Sequence, residues 1–188
     1  MDSLQEAESH QGVILVVGHP GAAADFSPSV EAGATLLIAS GVQDPGNAGA
    51  LVRVADAAGA AGVIIAGGAD PFGPKAIRAS AGSVFRLPIL RLAGTPPLIE
   101  EIARLRAGGL AVIGAVPRGG RDYRELLPGD RVALVLGGEG AGLAPPLIAA
   151  MDHLVTIPLR EGVESINVTS AAAVLLFGFA RRHAAPSN

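Results

Sequence analysis

Runs of almost unbroken aliphatic residues at 13–17, 35–39, 63–66, 110–115, 131–136 and 154–157 constrain this chain more than any other feature. A strand with one wet face alternates apolar and polar residues. A continuous run rich in Val and Ile belongs to a strand covered on both faces. None of these runs approaches the roughly 20 apolar residues that a membrane-spanning helix requires. Between them lie stretches with helical punctuation, and strand alternating with helix argues for an α/β fold. The expected architecture is a largely parallel sheet with helices on both faces.

The helices can be placed from their ends. Asp44 and Pro45 suit an N-cap and a first turn, Leu51, Val52, Ala55 and Ala58 supply the packed side, and Gly59 stops the run. A shorter helix is expected over Pro74–Ser80, followed by an extended stretch at 85–90. Pro96 and Pro97 precede a helix over 98–106, and Gly108 and Gly109 end it. A short helix at Pro145–Ala150 follows, and the last helix runs over 167–183. That final helix is apolar nearly all round, so it is expected to be buried in the core or against a second subunit.

At 188 residues and 49% hydrophobic content, the chain fits one domain around one core. The absence of cysteine removes disulfides, thiol nucleophiles and the soft ligands of common zinc sites. His10, His19, His153 and His183 are scattered without metal-ligand spacing, so no metal is expected. Residues 1–10 are polar, carry Glu6 and Glu8 and differ from a positively charged signal segment; they read as a flexible lead-in. A soluble cytoplasmic protein without membrane partners is the expectation. The net charge of −3 offers no global attraction for nucleic acid. Local clusters at Lys75, Arg78, Arg86 and Arg91, and at Arg118, Arg121 and Arg124, read either as solvated surface or as a face for phosphates.

Three separated segments carry the chemistry. Asn47-Ala48-Gly49-Ala50-Leu51-Val52-Arg53 opens the first helix, and Gly137-Gly138-Glu139-Gly140-Ala141-Gly142-Leu143 ends a strand. Ile157-Pro158-Leu159 ends another and leads to Ser165-Ile166-Asn167-Val168. Asn47 alone reads equally as a turn or cap residue, and Arg53 alone reads as the partner of Asp56 one turn on. The glycine-rich segment has neither the lysine-serine/threonine ending of a P-loop nor a dinucleotide fingerprint.

In this order and spacing, the three segments closely resemble the motifs of SpoU/TrmH-type RNA ribose 2'-O-methyltransferases, over about residues 11–182. That resemblance implies a SPOUT-type catalytic domain over 11–188 with a deep trefoil knot at about 134–179, S-adenosyl-L-methionine (AdoMet) as cofactor and a homodimer. It implies Asn47, Arg53, Glu139, Ser165 and Asn167 as the catalytic group. Gly114, Ala115, Val116, Gly137, Gly138, Ile157, Leu159, Ile166 and Val168 would contact AdoMet. An arginine side chain, protonated throughout the physiological range, is a poor base. Arg53 is therefore assigned to orienting and stabilising the ribose oxygen, with acceptance of its proton left open. The segment from Lys75 to Gly82 looks closer to rRNA-modifying members than to tRNA-modifying ones. Family members often carry a small RNA-recognition domain ahead of the catalytic one, for which the start of the signature at His10 leaves little room. Gly138, where Ser is frequent, and the charged Arg160-Glu161 turn depart from the family pattern. The competing reading is a catalytically weak AdoMet-binding dimer that binds RNA or scaffolds RNA or protein contacts.

Overall fold

The structure, a computed structural model, describes Gly18, Phe26 and residues 35–127 and 129–183. The expected flexible segment at 1–10 and strand at 13–17, and most of the connection at 20–33, lie outside the described residues. Among the described residues, seven strands form one sheet: β1 (Thr35–Ser40), β2 (Gly62–Ala66), β3 (Ile89–Leu92), β4 (Ala111–Ala115), β5 (Arg121–Asp122), β6 (Val132–Gly137) and β7 (His153–Thr156). Their order is β3-β2-β1-β6-β4-β7-β5, and every neighbouring pair is parallel.

Five helices cover the sheet: α1 (Pro45–Ala57), α2 (Pro74–Ser80), α3 (Thr95–Ala107), α4 (Pro145–Ala150) and α5 (Val168–His183). In β1, Leu37 and Ala39 face a core shared with α1 and α5, whereas Leu36 and Ile38 face one shared with α3 and α4. All four are fully buried. Two-sided burial is why the strand sequences show no polar alternation, and each fully buried aliphatic side chain is worth about 1.5–3 kcal/mol relative to exposure.

Local signals set most boundaries. Asp44 caps α1, its Oδ1 accepting from the Asn47 N–H at 2.9 Å, and Pro45 occupies the first turn. Gly59 (φ +73°) and Gly109 (φ +84°) take the left-handed conformation after α1 and α3. In both, the next residue's N–H reaches back into the last turn: Ala60 to the Ala55 carbonyl, Leu110 to the Leu105 carbonyl.

Three expectations need correction. Residues 85–90 are not one extended stretch. Gly82 (φ +86°) turns the chain into a 3-10 turn at Ser83–Phe85, closed by Arg86 and Leu87 N–H groups on the Ser83 carbonyl, and β3 starts only at Ile89. Helix α3 begins at Thr95 and takes Pro96 and Pro97 into its first turn, where their missing N–H groups cost nothing. Strand β7 ends at Thr156, because the Thr156 hydroxyl donates to the Val116 carbonyl and accepts from the Gly120 N–H, drawing two loops together. Helix α5 buries one face in the core, through Val168, Ala172, Leu175, Leu176 and Phe179, while Val174 and Phe177 remain 37% and 45% exposed in the single chain.

Candidate active site

Because the sheet is parallel, the carboxyl ends of its strands share one edge, where an open α/β fold offers a crevice wherever successive connections leave in opposite directions. Here that point lies between β1 and β6. The connection from β1 goes to α1 on one face and on to β2; that from β6 goes to α4 on the other face and on to β7. All three motif segments come to this edge.

Glu139 ties the two exits together. Its Oε1 accepts from Asn47 Nδ2 at 2.7 Å, and its Oε2 accepts from the Gln43 backbone N–H at 3.1 Å. Asn47 Oδ1 in turn accepts from Asn167 Nδ2 at 3.3 Å, and Asn167 Oδ1 accepts from the Thr169 N–H at 2.8 Å. Residues 92 and 120 positions apart in sequence thus form one hydrogen-bonded line. Partial burial pulls the Glu139 carboxyl upward, but the bonds from Asn47 and from backbone N–H groups outweigh it and hold the group below the ordinary glutamate range. Glu139 is therefore an anion at neutral pH.

The glycines of the second segment have a steric reason of their own. A Cβ on Gly138 would lie 2.2 Å from the Gly41 carbonyl oxygen, and one on Gly137 would lie 2.1 Å from the Gly142 carbonyl carbon. Close backbone packing of the β6 exit against itself and against the β1 exit places Glu139 within reach of Asn47.

Asn47 is not a cap; Asp44 holds that position and accepts from the Asn47 backbone N–H. Arg53 lies six residues further along α1, about 9 Å along its axis, on the exposed side. It does not pair with Asp56, whose Oδ2 is held by Arg86 Nη2 at 2.6 Å and Arg86 Nε at 3.1 Å. Nor does Glu139 hold it within the chain. Among the described residues Arg53 has no hydrogen bond or ion pair. Ser165 is exposed in the loop before α5 and, among the described residues, is not joined to the Asn47–Glu139–Asn167 line.

The expected cofactor residues lie at the ends of three adjacent strands. Gly114 and Ala115 end β4, Val116 follows, Gly137 and Gly138 lie at the β6 exit, and Ile157 and Leu159 follow β7. Ile166 is exposed, whereas Val168 anchors the start of α5 in the core. Pro158 and Leu159 make no backbone hydrogen bond among the described residues. At the first turn of α5, Thr169 Oγ1 is buried without a partner among the described residues. Sequence reasoning did not single out Thr169 or the Gln43 N–H; a hydroxyl or an amide bears no signal until its surroundings are known.

The surface cations are largely matched. Lys75 pairs with Asp44 (2.6 Å), Arg91 with Asp70 (3.2 Å) and Arg124 with Asp122 (2.5 Å), which offsets part of the charge of both clusters. A shallow depression bordered by Arg106, Leu110 and His153 lies at the opposite edge, where β4 and β7 begin, and an Arg106–Asp152 ion pair (2.6 Å) sits in it. Among the described residues, no group of three or more His, Asp or Glu could hold a metal, and no helix is long and apolar enough to cross a membrane.

Comparison with known proteins gives a consistent picture. Residues 34–177 match the model of the SpoU rRNA Methylase family. A 23S rRNA (guanosine(2553)-2'-O)-methyltransferase of Bacillus subtilis, RlmP, is 38% identical over 143 residues, covering 76% of this chain and 56% of that protein. The SpoU methyltransferase AviRb from Streptomyces viridochromogenes, solved in complex with the cofactor AdoMet, superposes with a TM-score of 0.77 at 31% identity, over 83% of this chain and 63% of that one. An AdoMet-bound rRNA methyltransferase from Sinorhizobium meliloti gives 0.77 at 36% identity, over 87% and 62%. The chain therefore spans less than two thirds of the length of these proteins.

Proposed function

The chain belongs to the SpoU rRNA Methylase family, and from that premise we propose that it transfers a methyl group from AdoMet to the 2'-hydroxyl of a ribose in structured RNA, rRNA rather than tRNA. The observation that carries this reading is the Asn47–Glu139–Asn167 line, which joins one residue from each motif at the switch point of the sheet. The rRNA preference rests on relatives whose names specify 23S rRNA.

The residues present fit AdoMet. Ile157, Leu159 and Ile166 offer apolar walls, the backbone at 158–159 is uncommitted, and the buried Thr169 hydroxyl lacks a partner. A site that is mostly apolar with a few convergent polar groups suits an adenosyl ligand. The bound group supplies an electrophilic methyl. The chain's own task is to hold the ribose oxygen in line and to stabilise charge growing on it. Arg53, exposed and uncommitted, fills that role. Glu139, held ionised below the ordinary glutamate range, has too low a proton affinity to serve as a base near neutrality, and His153 begins β7 at the far edge. Glu139 instead fixes Asn47, and Asn47 with Asn167 positions the RNA. Ser165, on the exposed loop, contacts the substrate side.

The finer architecture follows from the same reading. The segment 134–179 forms the trefoil knot, an arrangement supported by β6 entering between β1 and β4 and by α5 returning beside α1. Two copies pair in the cytoplasm through α5. The test is methyl transfer from labelled AdoMet into total rRNA and total tRNA, followed by mapping of the modified nucleoside. A 2'-O-methyl ribose in rRNA is expected; AdoMet binding without transfer to either pool would overturn the enzymatic reading.

A further inference from the structure

Arg53 and Asp56 stand three residues apart on α1, a spacing at which an arginine and an aspartate on one helix face meet. In the structure that pair does not form. Arg86, which follows the 3-10 turn at Ser83–Phe85, lies across the surface and takes Asp56 Oδ2 with both Nη2 (2.6 Å) and Nε (3.1 Å), while Nη2 also donates to Ser83 Oγ at 3.0 Å. Gly82 leaves room for this, since a Cβ there would come within 3.3 Å of Arg86 Nη1. The competition between the two arginines is settled by geometry. Arg86 engages one carboxylate oxygen twice and is braced by Ser83, whereas Arg53 could offer only an exposed pair along one helix, worth about 0.3–0.5 kcal/mol.

We propose that Arg86 is a positioning residue for the methyl-transfer site: by holding the Asp56 carboxylate it keeps the Arg53 guanidinium unpaired and available to the ribose oxygen. This rests on the role given to Arg53 under the proposed function. Arg86 is not a catalytic residue, since its own guanidinium is occupied 30 positions away from its partner in sequence. The device explains why a carboxylate is tolerated one turn from a residue whose charge the reaction needs. It also gives the turn after α2 a task that packing alone would not demand.

The experiment is a double-mutant cycle on methyl transfer. Arg86→Gln should lower kcat by about two- to threefold, the size an exposed pair of this strength sets, and leave AdoMet affinity unchanged. Asp56→Asn alone should be neutral. Asp56→Asn in the Arg86→Gln background should restore wild-type kcat, which a merely structural role for Arg86 would not allow. If Arg86→Gln melts below the assay temperature, Arg86→Met, with a straight apolar stem over Gly82, takes its place. A wild-type kcat in the single variant, or a double variant as slow as the single one, overturns the proposal. Nitrogen-15 NMR of the Arg53 Nε–Hε group decides the pairing independently of activity: removing Arg86 should slow its exchange with solvent, and an unchanged signal overturns the proposal. A wild-type protein that transfers no methyl, with that signal slowed in the variant, would instead refute the proposed function and leave the pairing intact.

Discussion

Arg53 stands on the exposed side of α1 with its charge uncommitted among the described residues. A group that stabilises charge only in the transition state leaves substrate and cofactor affinity almost untouched when it is removed. Arg53→Ala should therefore cut kcat by about 10²–10³, the usual cost of one such electrostatic contact, while AdoMet affinity by calorimetry stays within twofold. Turnover like that of the wild type would remove Arg53 from the chemistry. Glu139 gives a second test at this scale. Its folded-state acidity is raised, so the stability it contributes is present above the ordinary glutamate range and is lost as pH falls through the depressed folded value. Glu139→Gln keeps an acceptor for Asn47 but sets an amide N–H against the Gln43 N–H. Because Glu139 is exposed, the cost should not exceed about 1 kcal/mol. The variant should lose that part of the acid dependence of its melting temperature; an unchanged acid limb would show that the Glu139 bonds contribute nothing. From sequence, Glu139 and Asn167 were readable as site residues only through the family pattern, because no local signal reports a contact across 92 or 120 positions.

At the scale of elements, the close approach of α1 and α2 depends on one missing side chain. A Cβ on Gly49 would lie 2.1 Å from the Ala76 carbonyl oxygen and 2.8 Å from its carbonyl carbon. Helix propensity and backbone packing here pull in opposite directions. Alanine is favoured over glycine within a helix by about 1 kcal/mol, but overpacking against a backbone costs about 1–3 kcal/mol. Gly49→Ala should lower the melting temperature and move α2, which carries the Lys75 partner of the Asp44 cap. A stabilised variant would mean that α2 is free to shift. The strands legible in the sequence were those whose burial is two-sided, such as β1, β2, β4 and β6, and the helices α1, α2 and α4 were legible from their caps and prolines. Those misread owe their form to distant partners. The turn at Ser83–Phe85 is fastened by Asp56, and the two-residue β5 is held on β7 near Thr156, a pairing too short to leave an apolar pattern.

At the scale of the whole molecule, α5 shows what one chain leaves unfinished. Its inward face ends in the core at Phe179, yet Val174 (37% exposed) and Phe177 (45% exposed), three residues apart and so on one side of the helix, face outward. Val163 and Ile166, on the loop leading into α5, are exposed as well. A second copy meeting these residues would bury them and place its own surface beside the proposed RNA-facing edge. Sedimentation at low micromolar concentration should then report about twice the 18.7 kDa chain mass. Aromatic side chains at the centre of an interface carry much of its binding energy, and a buried carboxylate without a partner loses its hydration. Phe177→Glu should therefore weaken dimerisation by at least about tenfold, because the loss exceeds about 1.4 kcal/mol. Since Phe177 is exposed in the single chain, the variant should retain the fold, and its methyl transfer should fall in step with the dimer fraction as the protein is diluted. A wild-type protein that sediments as a monomer while retaining full methyl transfer would refute both the pairing through α5 and the dependence of methyl transfer on it.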